Sequence, residues 1–409
     1  MEFIADFHLH SKYSRATSKD MDIPEMSKYA KLKGISLLGS SDFTHPVWLS
    51  NLKAHLKETE GNLFDYKGMK FILTSEVSNI YKDKDKFAKI HIIIFSPCLE
   101  TCDRINERLQ RYGSLFADGR PILSLSSPDL VKMLLDIDER IFIVPAHIWT
   151  PHFSVFGANS GFNSISECFK DEASNIYCLE TGLSSDPKMN WRLSMLDKYT
   201  LISNSDAHSP AKIGREANVF NCEISYNAII SCLKNKDKTK FLKTLEFFPE
   251  EGKYHYDGHR NCEISLSPDE TKRLNLKCPK CGKKLTIGVM YRVCELSDRE
   301  DGFIPENSIP YKNLIPLDEI IGDALEKEPT SVVVKREYLS MVENIGSEFD
   351  ILLKKSEDEL KREVPQKIYE GIMNVRKGMI DIEPGYDGVY GKIVIFKKEK
   401  KTQKQMSLF

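Results

Sequence analysis

Over roughly the first 220 residues the chain repeats one pattern: a short apolar, β-branched run, a polar stretch, then a segment with helical spacing. The apolar runs lie at 3–7, 35–38, 71–74, 90–95, 141–144, 176–179 and 201–203. Between them the spacing predicts helices. One begins near Asp22, with Pro24 in its first turn and Gly34 past its end; others cover 48–58, 99–112, 127–136 and 187–199. Strands alternating with helices predict βα units and a largely parallel sheet, closed or nearly closed into a barrel. Seven strands rather than eight make that barrel a distorted one.

The pattern changes after Asn221. A helix at 225–233 leads into a lysine-rich stretch and then Pro249-Glu250-Glu251-Gly252, the first boundary. A cysteine-rich module follows at 249–304. From 305 to 396 the chain reads as a mixed, mainly helical domain, with amphipathic helices at 315–325 and 336–354. Its Pro-Gly-Tyr-Asp-Gly turn (384–388) precedes a last strand at 392–396. The expected division is a catalytic α/β domain at 1–248, the module, the C-terminal domain, and a flexible tail at 397–409.

Composition narrows the class. With 409 residues, 41% hydrophobic and 29% charged, the chain is of the soluble globular kind, which excludes disordered and collagen-like architectures. Its net charge of -2 excludes a wholesale basic coat but permits a local basic groove. No run approaches the roughly 18 apolar residues of a membrane span. Residues 1–6 show no basic signal-peptide start, so the ten cysteines read as reduced thiols and the expected location is cytoplasmic.

Five histidines fall on or beside predicted strands. His8 and His10 end the first run, and period-two geometry points both to one face. Asp42 follows the second run and Glu76 the third, His147 ends the fifth, and Asp206-Ala207-His208 ends the seventh. His91 lies early in its run, the wrong end for a parallel strand. Parallel strand ends converge on one mouth, where such a ligand set suits two or three divalent ions such as Zn²⁺ or Mn²⁺, with Mg²⁺ as a further candidate. Asp6 shares the His8 face and is expected to orient an imidazole. Arg15, Lys212 and Arg215 lie near these motifs and are candidates for holding phosphate. Trp149, Phe156, Ser160, Gly161 and Phe162, in the loop after His147, could stack on and read an extruded base.

This constellation resembles the PHP (polymerase and histidinol phosphatase) superfamily, which implies a distorted (β/α)7 barrel with a multi-metal phosphoesterase site. His8, His10, Asp42, Glu76, His91, His147, Asp206 and His208 would hold the metals, with Asp206, His208, Glu76 and His8 carrying catalysis. Where many members have a further His or Asp after the first pair, this chain has Arg15 and Thr17, so the third metal is expected to be weakly held or ligated differently.

Longer motifs are similar to the endonuclease Q family: Asp-Phe-His-Leu-His-Ser-Lys-Tyr-Ser-Arg, Pro-Ala-His-Ile-Trp-Thr-Pro, Glu-Thr-Gly-Leu-Ser-Ser-Asp-Pro and Ser-Asn-Ser-Asp-Ala-His-Ser-Pro. Asn-Trp-Arg-Leu-Ser adds Trp191 and Arg192 to the candidate substrate contacts. The resemblance implies nicking of DNA on the 5′ side of deaminated bases (hypoxanthine, uracil, xanthine) and abasic sites. Two rivals are weaker. A small-molecule phosphoesterase of histidinol-phosphatase type needs no appended module, and a non-catalytic DNA adaptor needs no such ligand set.

In the module, Cys278-Pro-Lys-Cys281 has zinc-knuckle spacing, and His259-Arg-Asn-Cys262 offers a second pair. A closed, structural zinc of zinc-ribbon type is expected, with His255 or Cys294 as alternative fourth ligands. The tail ends in Gln405-Met406-Ser407-Leu408-Phe409, after a segment (392–404) holding six lysines and one glutamate. The ending resembles the bacterial sliding-clamp-binding motif, with Gln405, Met406, Leu408 and Phe409 as the docking residues. A frame from Gln403 also resembles the box that binds the archaeal and eukaryotic clamp, PCNA, but the chain stops before a second aromatic, which favours the bacterial type.

Overall fold

The computed structural model describes residues 2–84, 86–158 and 161–396. The chain forms two compact units. One holds the chain up to Leu314 together with Pro384–Gly391, and the cysteine module belongs to it. The other holds Ile315–Glu383 and the chain from Lys392.

Each of the seven apolar runs forms a strand: β1 (Glu2–Asp6), β2 (Leu37–Gly39), β3 (Met69–Asp83), β4 (Lys86–Ser96), β5 (Phe142–Pro145), β6 (Cys178–Glu180) and β7 (Thr200–Ile202). β1–β2, β2–β3 and β6–β7 pair in parallel. Past β5, Ile148 N donates to Glu180 O (3.0 Å), and past β1, His10 N donates to Ala207 O (3.0 Å). The path of pairing therefore returns to β1 as a ring.

The expected parallel order fails at β4, which pairs antiparallel with both β3 and β5. β3 and β4 extend past their apolar runs and join directly, and a tight hairpin without a crossover helix forces the antiparallel sense. Outside the ring, Ala217–Asn221 pairs antiparallel with β1, Phe241–Glu246 with that strand, and Tyr311–Asn313 in parallel beyond it.

The helix signals work where they are local. Asp22 caps Ile23–Lys33 by accepting from Glu25 N (3.2 Å), and Gly34 closes it at φ +87°. Pro46–His55, Leu99–Leu109 and Ser127–Ile137 also form. The predicted helix at 187–199 does not; only the turns Pro187–Asn190 and Ser194–Leu196 are present. Asn190 Nδ2 donates to Asp186 O (2.8 Å) and Ser194 N to Asp298 Oδ1 (2.8 Å), bonds between side chain and backbone that compete with helix propagation. In the core Phe7 packs edge-on to Phe95 (5.4 Å), and Phe220 and Phe241 on the two added strands stack on each other (4.8 Å). Truncating Phe7 to alanine would cost about 3–5 kcal/mol.

The second unit is mainly helical: Leu317–Leu325, Val332–Asn344, Glu357–Glu363 and Gln366–Arg376, with the hairpin Asp381–Glu383/Lys392–Val394. The predicted helix at 336–354 stops at Asn344, and Gly346 takes φ +145°. The irregular turn beyond it is held by the Arg376 guanidinium, which donates to the carbonyls of Ile351 (2.7 Å), Leu352 (2.9 Å) and Lys355 (2.8 Å). No helix among the described residues is long and apolar enough to cross a membrane.

Candidate metal centre

The strand ends deliver their histidines to one mouth. Glu76, on β3, lies at its centre. Its Oε2 is 3.5 Å from His8 Nε2 and 3.3 Å from His10 Nε2; its Oε1 is 2.9 Å from His91 Nδ1 and 3.0 Å from His147 Nε2. Asp206 Oδ1 lies 3.0 Å from His10 Nε2 and 3.6 Å from His208 Nδ1. The ligand atoms fall into three triads, each within 4.8 Å: His8, His10 and Glu76; His10, Asp206 and His208; Glu76, His91 and His147. His10 and Glu76 belong to two triads each, so the sites they form share a wall. His91 reaches the mouth because β4 runs backwards, opposite Ser78 in register.

The donor set fits divalent cations. His8 Nε2, His10 Nε2 and Asp206 Oδ1 are buried and make no hydrogen bond, a costly state for polar atoms that a cation would relieve. Burial pushes His91 down to about 4, so its ring is neutral at pH 7 and free to coordinate. Burial disfavours the Glu76 carboxylate, but the Arg120 guanidinium, with His8 and His10, overcomes it and holds the group well below the usual range. The backbone is strained here as well: Asp42, His147 and Asp206 take φ of +35°, +30° and +46°.

The polar groups behind the ligands differ from expectation. Asp42 is not among the grouped donors. It accepts from Ser11 N (2.6 Å), Ser11 Oγ (2.7 Å) and Ser14 Oγ (2.8 Å) and faces His10 Nδ1 at 3.2 Å, so it orients an imidazole. Asp6 does not orient one; its carboxylate accepts from Ser205 N, Ser205 Oγ and Gly214 N, tying down the loop that carries Asp206. Sequence reasoning missed Glu180, although its place at the end of a strand was a signal. Its Oε1 lies 3.0 Å from His8 Nδ1 and its Oε2 accepts from His147 N (2.8 Å), linking two ligands. It also missed Arg120, whose Nη1 lies 3.1 Å from Glu76 Oε2 and which no periodicity marks. The preceding Gly119 lets this loop approach: a Cβ there would stand 2.3 Å from Asp42 Oδ2.

The expected substrate contacts divide. Arg215 Nε donates to Ser205 O (3.0 Å), beside Asp206. Arg15 is exposed and faces Asp118 (3.4 Å), and Lys212 ends the short turn Pro210–Lys212. Trp149, Phe156 and Phe162 are buried, not open to a base. Trp149 packs on Phe156 (4.8 Å) and donates to Asn190 Oδ1 (2.7 Å), because a long loop needs a core of its own. Gly161 O accepts from Lys86 Nζ (2.6 Å). Trp191 packs edge-on to Tyr311 and Arg192 donates to Cys294 Sγ (3.3 Å), contacts of structural packing. Ser160 lies outside the described residues, as do Gln405, Met406, Leu408 and Phe409.

In the module, His259, Cys262, Cys278 and Cys281 bring their ligand atoms within 4.8 Å of one another, a closed set of four that suits tetrahedral zinc. His259 Nδ1 is 3.5 Å from Cys281 Sγ. Desolvation opposes ionisation of Cys278, but the amides of Cys281 and Lys280 draw it down to about 6. His255 is buried elsewhere and Cys294 is engaged by Arg192, so neither alternative joins the cluster.

Residues 316–379 match the family model described as the MJ0043 C-terminal domain. The chain is similar to the lesion-specific endonuclease PfuEndoQ from Pyrococcus furiosus, at 31% identity and TM-score 0.87 over 100% of both chains. It is similar to an endonuclease Q solved with a 27-mer duplex bearing an abasic lesion at the active site, at 31% identity and TM-score 0.85 over 98% of this chain and 99% of that one. It is also 29% identical to the uncharacterised protein YqxK of Bacillus subtilis, over 95% of this chain and 98% of that protein. The mixed α/β fold and the ligand-lined mouth define a metal-dependent DNA endonuclease. The chain belongs to the endonuclease Q family.

Proposed function

We propose that this enzyme initiates DNA repair by hydrolysing the phosphodiester 5′ to deaminated bases and abasic sites, with the strand ring acting as a PHP-type barrel and the lesion flipped out of the duplex. The observation that carries this reading is the cavity of about 690 Å³ beside the metal-ligand mouth, in the size range of small-molecule sites. Thr150 and Arg215 line it. Thr150 Oγ1 lies 3.1 Å from His147 Nδ1, and Arg215 reaches the carbonyl next to Asp206. Tyr254 and Tyr390 line it with Lys253 Nζ over both rings (5.7 and 5.8 Å), and Leu183 and Phe247 add apolar wall, surroundings that suit an extruded heterocycle. In this reading the cavity takes the role first expected of Trp149, Phe156 and Phe162. A deaminated base pairs poorly and costs less to extrude, which favours lesions.

The residues divide the work. The three triads would hold two or three divalent ions, Zn²⁺ or Mn²⁺ by ligand type; bound there, the ions would acidify a water for in-line attack and stabilise the leaving 3′-oxygen. Glu76 spans two triads and fixes their spacing. Arg120 and Arg215 are placed to hold phosphate oxygens by charge-assisted hydrogen bonds, and Glu180 and Asp42 keep His8 and His10 in the ligating orientation. The Cys/His cluster would hold a structural zinc. The final five residues would dock on a sliding clamp, of the bacterial type in preference to PCNA, raising the local concentration of enzyme near lesions in cytoplasmic DNA.

The test is an end-labelled duplex with one hypoxanthine, incubated with enzyme and Mn²⁺, Mg²⁺ or Zn²⁺. A single cut 5′ to the hypoxanthine is expected, and none in the undamaged duplex. Hydrolysis of histidinol phosphate with no cut in either duplex would replace this reading with a small-molecule phosphoesterase. Deleting residues 405–409 should remove clamp binding while oligonucleotide nicking persists; equal clamp affinity of both forms would exclude the tail.

A further inference from the structure

The cavity beside the mouth has a buried imidazole in its wall. His255 lines the cavity and is only 4% exposed, and its Nδ1 is buried and makes no hydrogen bond among the described residues. Burial pushes the ring down to about 4, against the pull of the Pro249 carbonyl, so it is neutral at pH 7. A neutral imidazole carries one N–H and one lone pair. The Pro249 carbonyl draws the N–H, which leaves the other nitrogen as an acceptor.

The backbone fixes where this side chain stands. His255 N donates to Gly252 O (3.0 Å), Met290 N donates to His255 O (3.0 Å), and the ring stacks on Tyr256 (5.3 Å). The turn 384–391, part of the same compact unit, fastens the wall from outside. Gly385 N donates to Glu250 O (2.8 Å), Gly388 N to Lys253 O (2.8 Å) and Gly391 N to Glu251 O (3.0 Å). A Cβ at Gly385 would stand 2.5 Å from Gly252 O, so glycine permits the approach. Leu183, Phe247 and Val289 line the same cavity. Among such neighbours an apolar side chain would carry no desolvation cost, whereas an unpaired imidazole does. A hydrogen bond from a ligand would offset it.

Deamination makes the same change in each parent base. The amino group becomes a carbonyl, and the ring nitrogen beside it turns from a lone pair into an N–H. The N1 position of hypoxanthine and xanthine and the N3 position of uracil are therefore donors, where adenine and cytosine have acceptors. We propose that His255 is the specificity-determining residue of the cavity, its unpaired imidazole nitrogen accepting the ring N–H of a flipped deaminated base. A parent base would meet that nitrogen with a second lone pair, leaving two buried acceptors unsatisfied. The assignment rests on the mouth being a lesion-cleaving site with the cavity as its base pocket.

The test is single-turnover nicking of three duplexes that differ at one position: hypoxanthine, unsubstituted purine, or an abasic site. Purine keeps the ring system but has a lone pair at N1 and no N–H. Wild-type enzyme should nick the hypoxanthine duplex about tenfold faster than the purine duplex. His255→Leu should lower the hypoxanthine-to-abasic ratio about tenfold and bring the hypoxanthine and purine rates together. His255→Asn, whose amide oxygen can accept in place of the ring nitrogen, should restore most of the preference for hypoxanthine. Ratios cancel any general loss from imperfect folding; if the leucine variant fails to fold, the wild-type comparison and His255→Asn decide. Equal wild-type rates on hypoxanthine and purine overturn the assignment, as does an unchanged ratio in His255→Leu or a loss of preference in His255→Asn. Failure of the lesion reading appears separately, as wild-type enzyme that cuts none of the three duplexes or cuts undamaged duplex as readily.

Discussion

At the mouth of the strand ring, ligands arrive from positions up to 200 residues apart, His8 to His208, and His8, His10, Glu76, His91 and His147 are buried while Asp206 and His208 are partly open. In the cysteine module the four ligands come from a stretch in which His259 and Cys281 are only 22 residues apart, and only Cys278 is buried. The mouth is assembled by the fold around it: Glu180 and Asp42 hold His8 and His10, and Asp6 ties down the loop of Asp206. The module has two short strands, Asp257–His259 and Ile264–Leu266, and little core between its knuckles. The difference teaches that one ligand set is placed by the fold around it, whereas the other would need a bound metal to hold it together.

The largest effect belongs to the module. Cys278→Ser should lose tightly held zinc and unfold the region around 257–296, since zinc supplies roughly 10–16 kcal/mol of folding free energy in small zinc-finger peptides. Hydrogen exchange should show lost protection there while β1–β7 keep theirs. Equal zinc content in variant and wild type would break the comparison at once.

At the mouth the expectation reverses. Asp206→Asn should leave the melting temperature nearly unchanged and lower nicking on the order of 10³-fold, since it weakens a metal site that supplies several kcal/mol to the transition state. Near-normal nicking at ordinary metal concentrations would show that the His10–Asp206–His208 triad is idle.

Glu180→Gln sharpens the same point one layer out. It should lower metal affinity or activity about 10–100-fold, by releasing the His8 ring and the His147 backbone. Calorimetric titration of Mn²⁺ reads it directly; unaltered affinity would mean the ligands hold themselves.

The smallest effect concerns a buried carboxyl with no cation beside it. Burial, with Asp186 nearby, pushes Glu246 up to about 8, so the folded protein keeps a proton that the unfolded chain loses above the ordinary carboxyl range. The native state then binds more protons between about pH 4.5 and 8, and stability falls as pH rises through that window. Glu246→Gln should flatten the decline in melting temperature, a matter of a few degrees. A decline of equal steepness in the variant would assign it to another group. Glu76, equally buried, ionises because the Arg120 guanidinium faces it.

Much of this was legible before any coordinates. The seven strands, the five histidines with Glu76 and Asp206, and the knuckle cysteines all carry signals that are local in sequence: apolar runs, period-two pairs, two-residue spacings. The helix at Ile23–Lys33 was equally plain, because its cap, proline and closing glycine are contiguous. The misplaced helix at 187–199 fails for the opposite reason, since Asp298, which competes for Ser194, lies 104 residues away.

By itself, then, the sequence determined which residues could ligate a metal and which segments could be strands, since side-chain chemistry and hydrophobic period are properties of neighbours along the chain. Only the tertiary structure decided what each residue does with that capacity. It turned β4 backwards so that His91 meets Glu76, set Asp42 behind His10 as an orienting group, brought in Glu180 and Arg120, and buried Trp149, Phe156 and Phe162 beneath the loop they were expected to arm. Strand direction, burial and the partner of a carboxylate depend on groups tens to hundreds of residues distant, and no local pattern encodes them.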